Sequence, residues 1–465
     1  MKVLFIIPNL VGDKGKPTAP PPGVAYLAAM LMKHNHEVIA IDMRVHTNFS
    51  NLFDKIEKFN PDFIGLSFMT KEYLKSYNIV KQIKEKFPDK ILILGGSHPS
   101  TVEEKVLEET SADLAVMGEA EYTFLELCDK KPYSEIKGLI WRKDGHIIKN
   151  DRRPFIDDLD SLPFPAYDIF PLKEYVDKKI PIVSSRGCPY QCIYCAMKKI
   201  LGAKWRPRSA ENVFEEIKLW YGRGYTFFHI IDDNFTLDMK RAEVICDLII
   251  KNNLKIKWDL RNGIRVDRVS EELLTKMKKA GCFFLAFGIE SFDDDVLKQM
   301  KKGTTSEKAI EAVRLAKKVG IPASGFFMVG LPGDTYQKFL KTYNLAKSMD
   351  LEEVRFYNVI PFPETELYEQ IKKEGKLLKT PKEYLNFGSK FLNDPIYEMG
   401  DFTTKQKIKA LDIGQNIVMR KLLKKEFGSI LGGLAFMGWK IKPIRRVIKK
   451  PGIYLWTIIR KSKRK

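Results

Sequence analysis

Val183-Ser-Ser-Arg-Gly-Cys-Pro-Tyr-Gln-Cys-Ile-Tyr-Cys195 carries three of the chain's six cysteines, Cys188, Cys192 and Cys195, in the spacing C-x3-C-x2-C. Thiolates this close on one loop can face a single centre, and soft sulfur ligands select zinc, copper(I) or iron–sulfur clusters over hard metals. Structural zinc sites are closed by four protein ligands, whereas three ligands leave one position open to water or substrate. The loop therefore reads as reactive. The alternative is three unrelated cysteines, or a zinc knuckle completed by a distant Cys or His.

Outward from the loop, short apolar runs alternate with amphipathic stretches. Downstream the pattern predicts strands at 182–185, 226–231, 257–260, 283–288, 323–329 and 353–359, separated by helices at 210–221, 239–251, 271–280, 293–300, 306–319 and 336–348. Six such units over 181–375 suit an open (β/α)6 partial TIM barrel, with its active site at the C-terminal ends of the strands. The cysteine loop follows the first of them. Upstream, residues 1–150 predict strands at 3–7, 38–41, 63–67, 91–94 and 114–117 with helices at 24–33, 52–59, 72–87 and 102–109. This is the α/β pattern of a doubly wound, Rossmann-like parallel sheet, which binds ligands at the carboxyl ends of its strands. The loops Pro20–Gly23, Gly95–Pro99 and Gly118–Glu121 fall at those ends. A Pro-rich segment without period, within 151–180, reads as an ordered linker.

With Tyr194 just before its last cysteine, the loop resembles the signature of the radical S-adenosylmethionine (SAM) superfamily. The resemblance implies a [4Fe-4S] cluster on Cys188, Cys192 and Cys195 whose open iron chelates SAM. One electron from the cluster then cleaves SAM to a 5'-deoxyadenosyl radical that takes hydrogen from an unactivated carbon. It also implies an electron donor such as flavodoxin or ferredoxin, and SAM contacts from Tyr194, Asp232, Asp233, Asn234, Arg261, Glu290 and Ser291. Placed ahead of that signature, the strand-end loops of 1–150 make residues 1 to about 375 similar to the cobalamin-dependent branch. Pro22, Gly23, Ser67, Gly95, Gly96, His98, Gly118 and Glu119 are then the implied cobalamin contacts. The D-x-H-x-x-G motif of classical cobalamin domains is absent, the nearest stretch being Asp42-Met-Arg-Val-His46. His98 is read as a hydrogen-bonding turn residue rather than a cobalt ligand. Arg206 and Arg208 meet the corrinoid, a carboxylate or simply solvent. The implied reaction is C-methylation through methylcobalamin, or an oxidative cyclisation or rearrangement without methyl transfer. A non-catalytic corrinoid or redox sensor is the rival from another class, and the open cluster position and strand-end acids argue against it.

The length of 465 residues suggests two or three domains. Clustered cysteines argue against a disulfide framework and for a reducing compartment. The first apolar run is too short for a signal peptide, and no run reaches the ~18 residues of a membrane span, so the expected location is cytoplasmic. Of the net charge of +20, +13 sits in the last 45 residues, where fourteen basic residues face the single acidic Glu426. The region 376–465 reads as mainly helical, with a helix at 403–427 and a basic amphipathic tail. Trp439, Tyr454 and Trp456 interleave with its basic clusters, which fits a peripheral segment on an anionic membrane. Nucleic acid is the disfavoured partner and a solvated tail the bland alternative. On the membrane reading the small-molecule substrate is lipid-like or a polyprenoid.

Overall fold

The computed structural model describes residues 1–9, 17–45, 48–385 and 394–440. His46 and the tail 441–465 lie outside the described residues.

The first sheet takes its elements in the order β1 (Lys2–Ile7), α1 (Pro22–Lys33), β2 (Glu37–Asp42), α2 (Phe49–Phe59), β3 (Phe63–Ser67), α3 (Tyr73–Lys86), β4 (Ile91–Gly95), α4 (Ser97–Val102), α5 (Lys105–Glu108), β5 (Leu114–Val116), α6 (Glu121–Cys128), β6 (Leu139–Lys143) and β7 (His146–Lys149). Strand order is β2-β1-β3-β4-β5-β6-β7. The first five strands are parallel and nearly continuous in apolar residues because helices cover both faces. Three features depart from the sequence reading. Helix α6 follows β5, where no helix is expected. The β6/β7 hairpin extends the sheet antiparallel; its turn is Asp144-Gly145, both at positive φ, the pairing that a two-residue hairpin turn requires. The helix expected at 102–109 instead starts at Ser97 and breaks at Glu103, where φ is 53°. His98 is therefore a buried helical residue and not a turn residue.

The second sheet comprises β8 (Ile180–Ile182), β11 (Phe227–Ile230), β12 (Lys257–Ile264), β13 (Cys282–Glu290), β14 (Ala323–Val329) and β15 (Glu353–Asn358), all parallel and adjacent in chain order. Between β8 and β11 lie a small ladder of β9 (Ser185–Arg186) with β10 (Arg206–Pro207) and the helices α7 (Met197–Leu201) and α8 (Ala210–Gly222). Helices α9 (Met239–Lys251), α10 (Glu271–Lys279), α11 (Asp294–Gln299), α12 (Ser306–Val319) and α13 (Tyr336–Ser348) complete the expected partial barrel, and α14 (Glu366–Glu374) lies outside the expected set. Strand β8 ends at Ile182, where the first strand is expected to begin, and β12 runs on to Ile264, so Arg261 lies within a strand rather than after one. The linker is ordered by burial: Tyr167 is fully buried and donates to Pro181 O at 2.8 Å, and Tyr175 donates to Asp42 Oδ2 at 2.6 Å.

Past the barrel come β16 (Lys376–Leu377), α15 (Pro381–Tyr384), β17 (Tyr397–Glu398) and α16 (Thr404–Lys440), the last broken at Gly428, where φ is 78°. The first half of α16 covers β15, the edge strand that would otherwise present unpaired backbone groups. Gly414 permits that approach, since a Cβ there would lie 2.7 Å from Phe356 Cβ. The beginning of the C-terminal region is thus part of the barrel wall.

Candidate functional site

The cysteine loop leaves β8 through Ser184 and Ser185. Ser184 N, Ser184 Oγ and Ser185 Oγ each donate to the Asp232 carboxylate at 2.6 Å. Gly187 follows at φ 84°, and a Cβ there would stand 2.3 Å from Lys204 O, so both the left-handed conformation and the close approach require glycine. Ile193, between the second and third cysteines, is buried; its N–H donates to Met300 O at 3.2 Å and its carbonyl accepts from Leu367 N at 3.0 Å. Around that anchor Cys188 and Cys192 are half-buried and Cys195 is exposed. The Cys195 thiol itself is nevertheless surrounded by protein atoms. Burial pushes the Cys188 and Cys195 thiols up, the latter to about 11, and Asp233 with the neighbouring thiols pushes the same way. Thiols so placed stay protonated at neutral pH unless a metal takes the proton's place. Among the described residues no three Cys, His, Asp or Glu side chains close on a single ion. A cubane, which takes each thiolate at a separate iron, fits thiols that are neighbours without converging on one point.

The candidates at the strand ends divide into committed and uncommitted groups. Asp232 is spent on the serines. Asp233 Oδ2, both side-chain polar atoms of Asn234 and Thr236 Oγ1 are buried without a partner among the described residues. Burial, with Asp232 beside it, pushes the Asp233 carboxyl up to about 6. Unpaired buried acceptors and donors beside the thiols fit the ammonium, carboxylate and hydroxyl groups of SAM. Glu290 ends β13 in the sparsely allowed left-handed region, φ 68°, and accepts from Lys302 Nζ at 2.8 Å and the Tyr194 hydroxyl at 3.3 Å. Lys302, buried and 3.3 Å from that hydroxyl, had no signal in the sequence beyond being one lysine among many. Ser291 turns away to α13, with its Oγ 3.3 Å from Thr342 Oγ1 and accepting from Asp293 N. Arg261 sits lower on the sheet, paired to Asp259.

At the carboxyl edge of the first sheet, a Cβ on Gly23, Gly95 or Gly118 would meet nothing within 4 Å, so the backbone there borders open space. Gly96, by contrast, is packed on Phe68, whose O would be 2.5 Å from a Cβ. Pro22 and Gly23 form the first turn of α1, and Ser67 ends β3 half-buried. Helices α1, α4 and α6 begin at this edge with no side-chain cap, whereas α8 through α14 are each capped by a Ser, Asp or Thr side chain. First-turn N–H groups of α1 and α6 beside an open glycine edge fit the amides and phosphate of a corrinoid, whereas in α4 the His98 N–H is taken by Phe68 O and Pro99 has none. His98 is stacked on Tyr73 at 4.9 Å, with Nε2 3.2 Å from the Tyr77 hydroxyl. Glu119 faces the β9/β10 ladder: it accepts from Arg186 at 3.0 Å, Arg206 at 2.8 Å and Ile156 N at 2.7 Å, and Arg186 also binds Glu121 at 2.7 Å. Its carboxylate ties the first sheet to the ladder that flanks the cysteine loop and is not free for a corrinoid. Arg206 and Arg208 are likewise buried, on Glu119 and Glu216, which removes the solvent reading for both. Together with Lys199 donating to Thr101 O and Arg152 to Ser100 O, these bonds bring the carboxyl edge of the first sheet against the cysteine loop.

A family model described as a B12 binding domain matches residues 8–128, and one described as the radical SAM superfamily matches 182–346. An uncharacterized methyltransferase of Pyrococcus horikoshii is 33% identical over 428 residues, covering 88% of this chain and 91% of its own. The anaerobic magnesium-protoporphyrin IX monomethyl ester cyclase of Rubrivivax gelatinosus is 28% identical over 390 residues, covering 80% and 70%. Among solved structures, the radical SAM methyltransferase TsrM of Kitasatospora setae, with cobalamin and a [4Fe-4S] cluster bound, gives a TM-score of 0.74 at 15% identity over 96% of this chain and 99% of that one. The cobalamin-dependent SAM radical enzyme OxsB, with aqua-cobalamin and SAM bound, gives 0.70 at 20% identity over 96% and 71%. These two establish the fold alone. The chain belongs to the cobalamin-dependent radical SAM family of enzymes, whose cofactors are a [4Fe-4S] cluster, SAM and cobalamin.

Proposed function

We propose that this enzyme methylates an unactivated carbon, with the corrinoid as methyl carrier, and that residues 1–150, 151–180, 181–375 and 376–465 act as corrinoid domain, linker, barrel and C-terminal region. When bound, the cluster supplies one electron to SAM and the corrinoid a transferable methyl group. Cys188, Cys192 and Cys195 would hold the cluster. Asp233 and Asn234 would meet the polar groups of SAM, while Tyr194, held by Glu290 and Lys302, closes the same wall. Asp232 and Gly187 position the loop, and the edge at Gly23, Gly95 and Gly118 would border the corrinoid. The observation that carries methyl transfer is the methyltransferase relative, similar over 91% of its length. The cyclase relative supports a second reading, radical cyclisation without methyl transfer.

Product analysis decides between them. Reconstituted, reduced protein supplied with SAM and a substrate-containing extract is expected to form both S-adenosylhomocysteine, from methylation of the corrinoid, and 5'-deoxyadenosine. Formation of 5'-deoxyadenosine alone, with corrinoid present, favours cyclisation or rearrangement, and formation of neither overturns the catalytic reading. We further propose a lipid-like substrate reached from an anionic membrane surface. Support comes from the exposed apolar residues Ile430, Leu431, Leu434 and Met437 beyond Gly428, next to the basic tail.

A further inference from the structure

The concave face of the second sheet carries polar groups that the cofactor sites leave unused. Phe228, Ile230, Trp258, Leu260 and Ile264 enter the core beneath the helices, so the alternate residues His229, Asp259, Arg261 and Gly263 project to the opposite, concave side. A Cβ on Gly263 would come 3.5 Å from Phe326, two strands away, which is possible only across that concavity. Asp259 is fully buried and accepts from Lys179 Nζ at 3.0 Å, Arg261 Nε at 2.9 Å and His229 Nδ1–H. Against the cost of burial, these three donors hold its carboxyl down to about 2.

The three donors are not equivalent. Lys179 also pairs with Asp177 at 3.4 Å and lies over the Phe227 ring, so its charge is spent. Arg261 gives Asp259 one of its five N–H donors, and the rest have no partner among the described residues. Its guanidinium lies 4.0 Å over the Phe284 ring, and its side chain remains 37% exposed. His229, tautomerically fixed by Asp259, leaves Nε2 without a partner among the described residues, and its side chain is 19% exposed. Anchoring one edge of a guanidinium on a buried carboxylate and one face on an aromatic ring pre-organises its remaining edge for a planar or tetrahedral oxyanion.

We propose that Arg261 and His229 form an oxyanion-binding subsite on the concave face of the barrel, which takes a carboxylate or phosphate group of the substrate while its apolar part runs against Phe284, Phe326 and Tyr357. Phe326 and Tyr357 already meet edge to face at 5.8 Å on that side. The inference rests on the reading of the barrel as a substrate chamber, and the test is kept independent of turnover.

Isothermal titration of the full-length, anaerobically reconstituted protein uses phenyl phosphate and benzoate as anionic probes and benzyl alcohol as the uncharged one. At least one anion is expected to bind and the alcohol not to. Arg261→Ala is expected to weaken that binding about tenfold or more, the worth of a lost charge-assisted pair. Arg261→Lys keeps a charge beside Asp259 but gives up the planar fork, so it guards against misfolding of the alanine variant and should also weaken binding. His229→Gln should weaken it too. A rival basic cleft of about 610 Å³ lies between α13 and α16, where Lys347 and Arg420 line it; Lys347→Ala/Arg420→Ala should leave the affinity unchanged. Absence of anion binding, affinity indifferent to both Arg261 variants, or loss of binding in the cleft variant overturns the proposal. Affinity indifferent to His229→Gln overturns the part given to the imidazole. None of these readouts depends on 5'-deoxyadenosine formation, which tests the catalytic reading by itself.

Discussion

A buried polar atom without a partner costs on the order of 1–3 kcal/mol, and such atoms gather at the end of β11 in Asp233, Asn234 and Thr236. A fold tolerates that cost where a ligand supplies the missing partner. The three loop cysteines stand beside this cluster, while Cys128, Cys246 and Cys282 are buried in apolar surroundings that push their thiols up, the first and last to about 12. Cys192→Ala should therefore abolish both the cluster's visible absorbance and SAM cleavage, and Cys128→Ala, Cys246→Ala and Cys282→Ala should retain both; full iron retention in Cys192→Ala would refute the assignment. His98 gives a pH test. Burial, with Lys105 nearby, lowers its imidazole from 6.5 to about 4. Below pH 6.5 the unfolded chain binds a proton that the folded one refuses until about 4, so stability present above 6.5 is lost as pH falls through that window, by about 3 kcal/mol in all. The urea midpoint of His98→Gln should consequently fall less than that of the unsubstituted protein between pH 7 and pH 5. The cysteine spacing was plain in the sequence at this scale. The division of labour between Asp232 and Asp233 was not, because adjacent identical side chains are told apart only by which one the serines of β8 reach.

Elements were more legible than residues. Five of the six barrel strands and helices α8 to α13 follow from periodicity, because a parallel strand buried on both faces needs an apolar run and the crossover helix an amphipathic one, whereas the first strand lies at 180–182 rather than 182–185. The β6/β7 hairpin escaped because its two short runs are half exposed and read as ordinary surface, although Asp144-Gly145 marks the turn. The break of the helix at Glu103 escaped for a different reason: nothing but tertiary contact, through Arg152 and Lys149, rewards a left-handed glutamate there. Gly187 is where element geometry and site meet. Replacing it with alanine imposes a strained φ and a backbone clash with Lys204 O, and neither neighbour can move without shifting Cys188, whose N–H is bonded to Gly202 O. Gly187→Ala should fold, with a melting temperature within several degrees of the unsubstituted protein, yet incorporate markedly less iron on reconstitution. Equal iron content in the two proteins would show that the loop does not need this turn.

For the molecule as a whole, the Glu119 seam and the docking of the C-terminal helix decide what the two sheets enclose. The helix itself, expected at 403–427 and found from Thr404 to its break at Gly428, is legible in the sequence, but its docking and the seam are not, since both depend on contacts distant in sequence. Helix α16 changes character along its length. Before Gly428 it packs on β15, with the Lys421 ammonium bonded to Leu351 O; beyond it Ile430, Leu431, Leu434 and Met437 are 81%, 63%, 60% and 66% exposed. Those four positions share one helical stripe. No helix among the described residues is long and apolar enough to cross a membrane. The residues that follow, 441–465, hold ten basic side chains and no acidic one, with Tyr454 and Trp456 between them. An apolar stripe continued by such a segment suits a helix lying in the plane of an anionic surface, each basic residue contributing about 1 kcal/mol near it. Truncation after residue 440 removes ten of the fourteen basic residues of 421–465 and keeps the α16 residues, Gly414 among them, that pack on β15. In sedimentation with phosphatidylglycerol vesicles, the intact protein should bind at low salt and release at high salt, because the surface field decays over about 8 Å at physiological ionic strength. The truncated protein should bind much less, and Ile430→Glu/Leu434→Glu should bind less at any salt while keeping the iron content and uncoupled SAM cleavage of the unsubstituted enzyme. If the truncated and substituted proteins bind vesicles as well as the intact one, or if the intact one prefers RNA, the membrane reading falls and the lipid-like substrate falls with it.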